Sequence, residues 1–151
     1  MKAETLVFYT AWAAVAGGLI PVMASMNGTL GRAIGSPIYA SLVLCLAGTI
    51  GVMAVWLVVR PAMPAVAAWG GVPWFAWFGG IGMAVYALSA TYLAPRFGVG
   101  NLVISVVVAQ LVVSSLIDQF GLFGAAVSPL GVKRLIGLGV LAVGAALVAT
   151  K

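Results

Sequence analysis

Five runs of about 20 apolar residues, each closed by proline, glycine or an isolated charge, constrain this chain most, because that is the length a helix needs to cross a bilayer. The first extends from Leu6 to about Asn27, the second from Pro37 to Val59 and the third from Trp74 to Leu93. The fourth covers Asn101 to about Phe120 and the fifth Leu130 to Ala149. Only short connections remain, so the 151 residues read as a single all-α integral membrane domain of five transmembrane helices. Composition agrees: 64% of residues are hydrophobic and 6% charged, against about 25% charged in a soluble domain, too few to coat a surface facing water.

Function classes fall away quickly. Seven Lys and Arg against two Asp and Glu give a net charge of +5, but the cations are scattered and form no patch for nucleic acid. With no His and only Cys45, the chain has no ligand set for a metal, no disulfide of its own and no Ser/His or Cys/His catalytic pair. Cys45 reads as a small hydrophobe inside the second span. An enzyme is not expected, and neither is a cofactor.

The span boundaries carry their own chemistry. Ser36-Pro37 and Ser128-Pro129 each offer a hydroxyl N-cap followed by a proline at the first helical position, where its missing N–H is no loss. Arg60-Pro61 and Ala94-Pro95-Arg96 mark the ends of the second and third spans. Between Arg60 and Pro73 the chain stays apolar and is expected to lie along the membrane interface. The apolar run from Leu6 to Ala24 is longer than the roughly 7–15 residues of a signal-peptide core, so it reads as a retained first helix.

An odd number of spans puts the termini on opposite sides of the membrane. Lys2, Arg60, Lys133 and Arg134 then share the N-terminal side, and Arg32, Arg96 and Lys151 the other. Orientation follows Lys/Arg asymmetry, and four against three is almost none, so insertion in both orientations is expected. A fixed topology set by the Lys133-Arg134 pair is the alternative. Two oppositely inserted copies would make an antiparallel homodimer of ten helices, each chain one inverted-repeat unit.

Polar groups inside the spans are few, and each needs a partner or water. Gln110, Ser114 and Asp118 recur at i, i+4 and i+8 on one face of the fourth span; interhelical bonding and substrate contact are both open for them. Asp118 lies at a helix C-terminus, where the macrodipole disfavours an anion, so a cation is expected beside it: Lys133, Arg134 or an arginine of a partner. It is a candidate for either coupling or an ion pair. Gly17-Gly18 and Pro21 lie mid-span in the first helix and fit a broken helix beside a binding site or a kink with close packing through Ala13/Gly17 and Ala14/Gly18. Arg32 is a candidate interfacial cation, open to an anionic ligand or to lipid phosphate. Trp74, Trp77 and Tyr92 suit the interfacial aromatic belt, whereas Tyr86 is mid-span with Ser89 one turn on. Asn27, Tyr86 and Gln110, with Ser89 and Ser114, are therefore the candidate substrate-binding residues.

Several stretches together resemble the YdcZ-like family of the drug/metabolite transporter superfamily, whose members are half-size, five-helix proteins. They are Pro21 to Pro37 with its Asn27-x-x-Leu30-Gly31-Arg32, Trp77-Phe78-Gly79-Gly80 running into Tyr86, and Pro95-Arg96-Phe97-Gly98. Gln110-Leu111 and Ser115 to Gly124, with Asp118-x-Phe120-Gly121-Leu122-Phe123-Gly124, complete the set. The resemblance implies a transporter fold in the inner membrane. The superfamily's small multidrug exporters use a glutamate in the middle of the first helix, but Glu4 precedes the span here. That departure points away from antiport of cationic drugs and toward neutral or anionic metabolites. The expected function is transport of a small metabolite by alternating access as an antiparallel dimer. Its rivals are a non-transporting membrane scaffold or accessory subunit, and half of an obligate heterodimeric transporter.

Overall fold

In the computed structural model, which describes residues 3–149, every regular element is a helix. In chain order these are α1 (Ala3–Ala33), α2 (Pro37–Val59), α3 (Val66–Gly70), α4 (Gly79–Phe97), α5 (Val99–Phe120) and α6 (Val132–Ala149). Short 3-10 turns cover Trp74–Phe78 and Leu122–Gly124. Five helical segments are long and apolar enough to span a membrane: Glu4–Ala33, Pro37–Val59, Trp74–Phe97, Val99–Phe120 and Val132–Ala149. The expected all-α, five-span class is what is found. Lys2 and Lys151, both in the cation tally, lie outside the described residues.

Three of the boundary differences have a clear local reason. α1 does not stop near Asn27 and is not broken at Pro21; it continues to Ala33 and closes on Gly35, whose φ of 71° suits a residue without Cβ. α4 passes through Pro95 to Phe97. A proline so near a helix end removes only one late backbone bond, and its ring packs on α1, where a Cβ at Gly28 would lie 3.3 Å from it. α6 begins at Val132 and not at Leu130, because the preceding segment is tied to the end of α5: Ser128 N–H donates to the Asp118 carbonyl at 2.8 Å and Leu130 N–H to Gln119 Oε1 at 2.5 Å. Ser128-Pro129 is thus a strap and not a helix cap.

Other punctuation acts as read. Ser36 caps α2, its hydroxyl accepting from Tyr39 N–H at 3.4 Å with Pro37 next in line. Arg60 closes α2 in the left-handed region (φ 45°), ahead of Pro61, with its N–H on the Trp56 carbonyl at 2.8 Å.

The described residues form two compact units, one of 3–22 with 97–149 and one of Met23–Arg96. In the first, α5 packs on α6, and Leu102 and Ser115 are buried on α5. Gly121 ends α5 with φ 61°, and a Cβ there would meet Val127 Cγ2 at 2.7 Å. In the second, the buried residues are small. α1 supplies Ala24, Asn27, Gly28 and Gly31, spaced i, i+3, i+4 and i+7; α4 supplies Ala87, Ala90, Thr91 and Ala94 at the same spacing; α2 adds Ala40 and Ser41. Such stripes let helix backbones approach closely, which is how helices associate where lipid is as apolar as leucine. The pairs Ala13/Gly17 and Ala14/Gly18 do not pack this way: all four residues are exposed, and nothing among the described residues lies within 4 Å of a Cβ placed on either glycine.

Candidate functional site

Where the small-residue seams of α1, α2 and α4 meet, three polar side chains are brought together. Asn27 Nδ2 donates to Thr91 Oγ1, and both residues are buried, at 6% and 2% exposure. Thr91 Oγ1 donates to the Ala87 carbonyl at 2.7 Å. Ser41 Oγ lies 3.2 Å from Thr91 Oγ1 and 2.8 Å from the Pro37 carbonyl, so its single proton has two acceptors within reach. The Thr91 oxygen therefore links three helices. The surrounding glycine and alanine make this possible: a Cβ at Gly31 would stand 3.2 Å from Thr91 Cγ2 and 3.6 Å from Ala40 Cβ.

Asn27 has a second face. Beyond the bond to Thr91 its amide retains a carbonyl and another N–H, and the residue lines a cleft of about 390 Å³ with Met26, Leu30, Val43 and Leu44. A single amide in an otherwise apolar wall is the arrangement that orients a small molecule while apolar contacts hold it. Ser89, exposed on α4, lines a different groove of about 500 Å³ with Pro37, Ile38, Leu88 and Tyr92. Tyr86 is half-buried on the same helix. Arg32 sits in the last turn of α1, where Nη2 donates to Thr29 Oγ1 at 3.1 Å, and lines a pocket of about 170 Å³ with Thr91 and Arg96.

The remaining candidates belong to the other unit. Gln110 is exposed on α5, and Ser114 Oγ donates to the Leu111 carbonyl of its own helix at 3.1 Å. Asp118 receives Arg134 Nη2 at 2.6 Å, an ion pair closing the connection from α5 to α6. No group of three or more His, Cys, Asp or Glu gathers among the described residues.

The family model DMT_YdcZ, described as "Putative inner membrane exporter, YdcZ", matches residues 8–147. The chain belongs to this family. No curated protein and no solved structure matches it. As a YdcZ-family protein with five spanning helices, it is a multi-pass protein of the inner membrane. In this YdcZ chain Asn27-x-x-Leu30-Gly31-Arg32 puts its first residue in the polar cluster, its glycine against Thr91 and its arginine at the helix end. Asp118-x-Phe120-Gly121-Leu122-Phe123-Gly124 supplies the ion pair and the left-handed glycine that turn the chain out of α5.

Sequence reasoning missed Thr91 and Ser41 as cluster members. A signal was present for Thr91, which replaces one alanine in the series Ala87, Ala90, Ala94; a hydroxyl in a small-residue stripe is an interhelical donor or acceptor. Ser41 carries less signal, since a serine one turn into a helix that bonds the carbonyl four residues back, here that of Pro37, is commonplace.

Proposed function

We propose that the chain exports a small neutral or zwitterionic metabolite by alternating access, as an antiparallel homodimer. The observation that carries this reading is Asn27: a buried residue whose amide is held by Thr91 and which lines a cleft whose other side chains are apolar. Tyr86 and Ser89 of the same unit, and Gln110 and Ser114 of α5, are the further polar positions available to a substrate. No acidic residue lies between Met23 and Arg96, which fits a cargo without net positive charge better than a cation. The dimer reading is supported by the odd span count, the nearly balanced cations and the apolar side chains exposed along every spanning helix.

A specific observation also favours a second reading. Thr91 is fully engaged within the helix bundle, as expected if the cluster serves only to hold a scaffold or accessory subunit together. Comparing metabolites released into the medium by cells expressing wild type or Asn27→Leu, at matched amounts of folded protein, tests the two. Export predicts at least one small metabolite enriched several-fold by wild type and lost in the variant; identical media would overturn it. Cross-linking of oppositely tagged copies tests the homodimer, and a requirement for a second, related chain would replace it with a heterodimer.

A further inference from the structure

The unit Met23–Arg96 contains three arginines, Arg32, Arg60 and Arg96, and no Asp or Glu. Two of them share one pocket. Arg32 ends α1 and Arg96 ends α4, and both line the space of about 170 Å³ whose other walls include Gly28, Gly31, Gly35 and Thr91. The negative end of each helix dipole favours a cation there, which explains one arginine per helix end. It does not explain two arginines lining one pocket in a unit without a carboxylate, since like charges repel.

Each arginine makes one hydrogen bond along its own helix and keeps further donors. A guanidinium has five N–H donors in a planar fork. Arg32 places one on Thr29 Oγ1 at 3.1 Å, and Arg96 places one on the Tyr92 carbonyl at 2.9 Å. Arg96 is also stacked on the Tyr92 ring, its Cζ 3.8 Å from the ring centroid, which sets the plane of the fork. The other donors of both groups have no acceptor among the described residues. Glycine walls let a ligand approach the backbone, and Gly35, with φ 71°, keeps the turn between α1 and α2 open beside Arg32.

We propose that Arg32 and Arg96 form a binding site for a phosphate group, held by two charge-assisted forks at the ends of α1 and α4. The phosphate would come either from a free phosphate compound or from the headgroup of an anionic lipid. The site goes beyond the export reading and stands without it.

Two arms of one experiment distinguish the sources. In the first, the full-length protein in neutral detergent is titrated with inorganic phosphate at constant ionic strength, and tryptophan fluorescence and melting temperature are followed. In the second, the protein is reconstituted in phosphatidylcholine bilayers with and without phosphatidylglycerol, and phosphatidylglycerol retained through purification is counted by native mass spectrometry. Saturable phosphate binding identifies a free anion, and retention of phosphatidylglycerol alone identifies the headgroup. In either case Arg32→Gln and Arg96→Gln should each weaken binding roughly tenfold or more, while Arg60→Gln should leave it unchanged. Arg32→Lys and Arg96→Lys keep the charge, guard against a folding defect and should weaken binding several-fold by removing the fork. The proposal is overturned if neither ligand binds, if Arg60→Gln weakens binding as much as the other two, or if the lysine variants bind as wild type does.

Discussion

Arg134 Nη2 donates to Asp118 Oδ2 at 2.6 Å, joining the last turn of α5 to the first turn of α6. The same turn is held by Ser128 N–H on the Asp118 carbonyl, so Asp118 anchors the connection through both its side chain and its backbone. An anion at a helix C-terminus opposes the macrodipole, and the guanidinium offsets that penalty. Because the two side chains remain 37% and 35% exposed, the pair contributes little, about 0.5–1 kcal/mol. Asp118→Asn and Arg134→Gln should each lower the melting temperature in detergent by roughly 2–4 °C. The double variant should be scarcely worse than either single one, and high salt should shrink all the differences. Export should continue in each. An unchanged melting temperature with export abolished would instead make Asp118 part of the coupling machinery.

Thr91→Val tests the polar cluster with almost no change of shape. The valine leaves the Asn27 amide without its acceptor inside a low-dielectric seam, which costs about 1–3 kcal/mol. Chemical denaturation of the purified protein should show that loss, and Thr91→Ser should restore most of it. A Thr91→Val protein as stable as wild type would mean that the three-helix contact is held by packing alone.

Gly31→Ala places a Cβ 3.2 Å from Thr91 Cγ2, a contact so tight that Thr91, pinned by its hydrogen bonds, must give by a few tenths of an ångström. Gly48→Ala, on α2, meets nothing within 4 Å and should be neutral or slightly stabilising, since alanine is the better helix former by roughly 1 kcal/mol. The expected ordering is therefore Gly48→Ala at or above wild type and Gly31→Ala below it, read from unfolding in one detergent. A reversal would place the close approach of α1 and α4 elsewhere.

Gly121→Ala combines two penalties. Its φ of 61° is unfavourable for any residue with a Cβ, and the added carbon would lie 2.7 Å from Val127 Cγ2. A loss of more than about 1 kcal/mol is expected, with faster proteolysis in the segment before α6 as the local readout. Cleavage kinetics equal to wild type would show that the turn tolerates another geometry.

A reporter fused after Lys151 addresses orientation. With cations so evenly shared, it should be found on both sides of the membrane, and two added lysines beside Lys133 should move it to one side. A wild-type reporter wholly on one side would exclude dual insertion.

The five helices were legible in the sequence because the bilayer leaves no alternative. Without water to satisfy N–H and C=O groups, an apolar run of this length must close its own hydrogen bonds. The Ser36-Pro37 start of α2 and the Arg60-Pro61 stop could be read for the same kind of reason, since caps and prolines act within one turn of the chain. Asn27 could be singled out as an amide in an apolar run, but its partners could not. Thr91 lies 64 residues away and Ser41 is 50 residues from Thr91. Helices apolar on nearly every face carry no periodic mark of which side turns inward. Which stripes meet, and at what depth, follows from how closely two backbones can approach, and that was decided in three dimensions by Gly28 against Pro95 and Gly31 against Thr91. The meeting of Arg32 and Arg96 at one pocket has the same origin: each arginine is set by its own helix end, and only the packing of α1 on α4 brings the two residues to one lining.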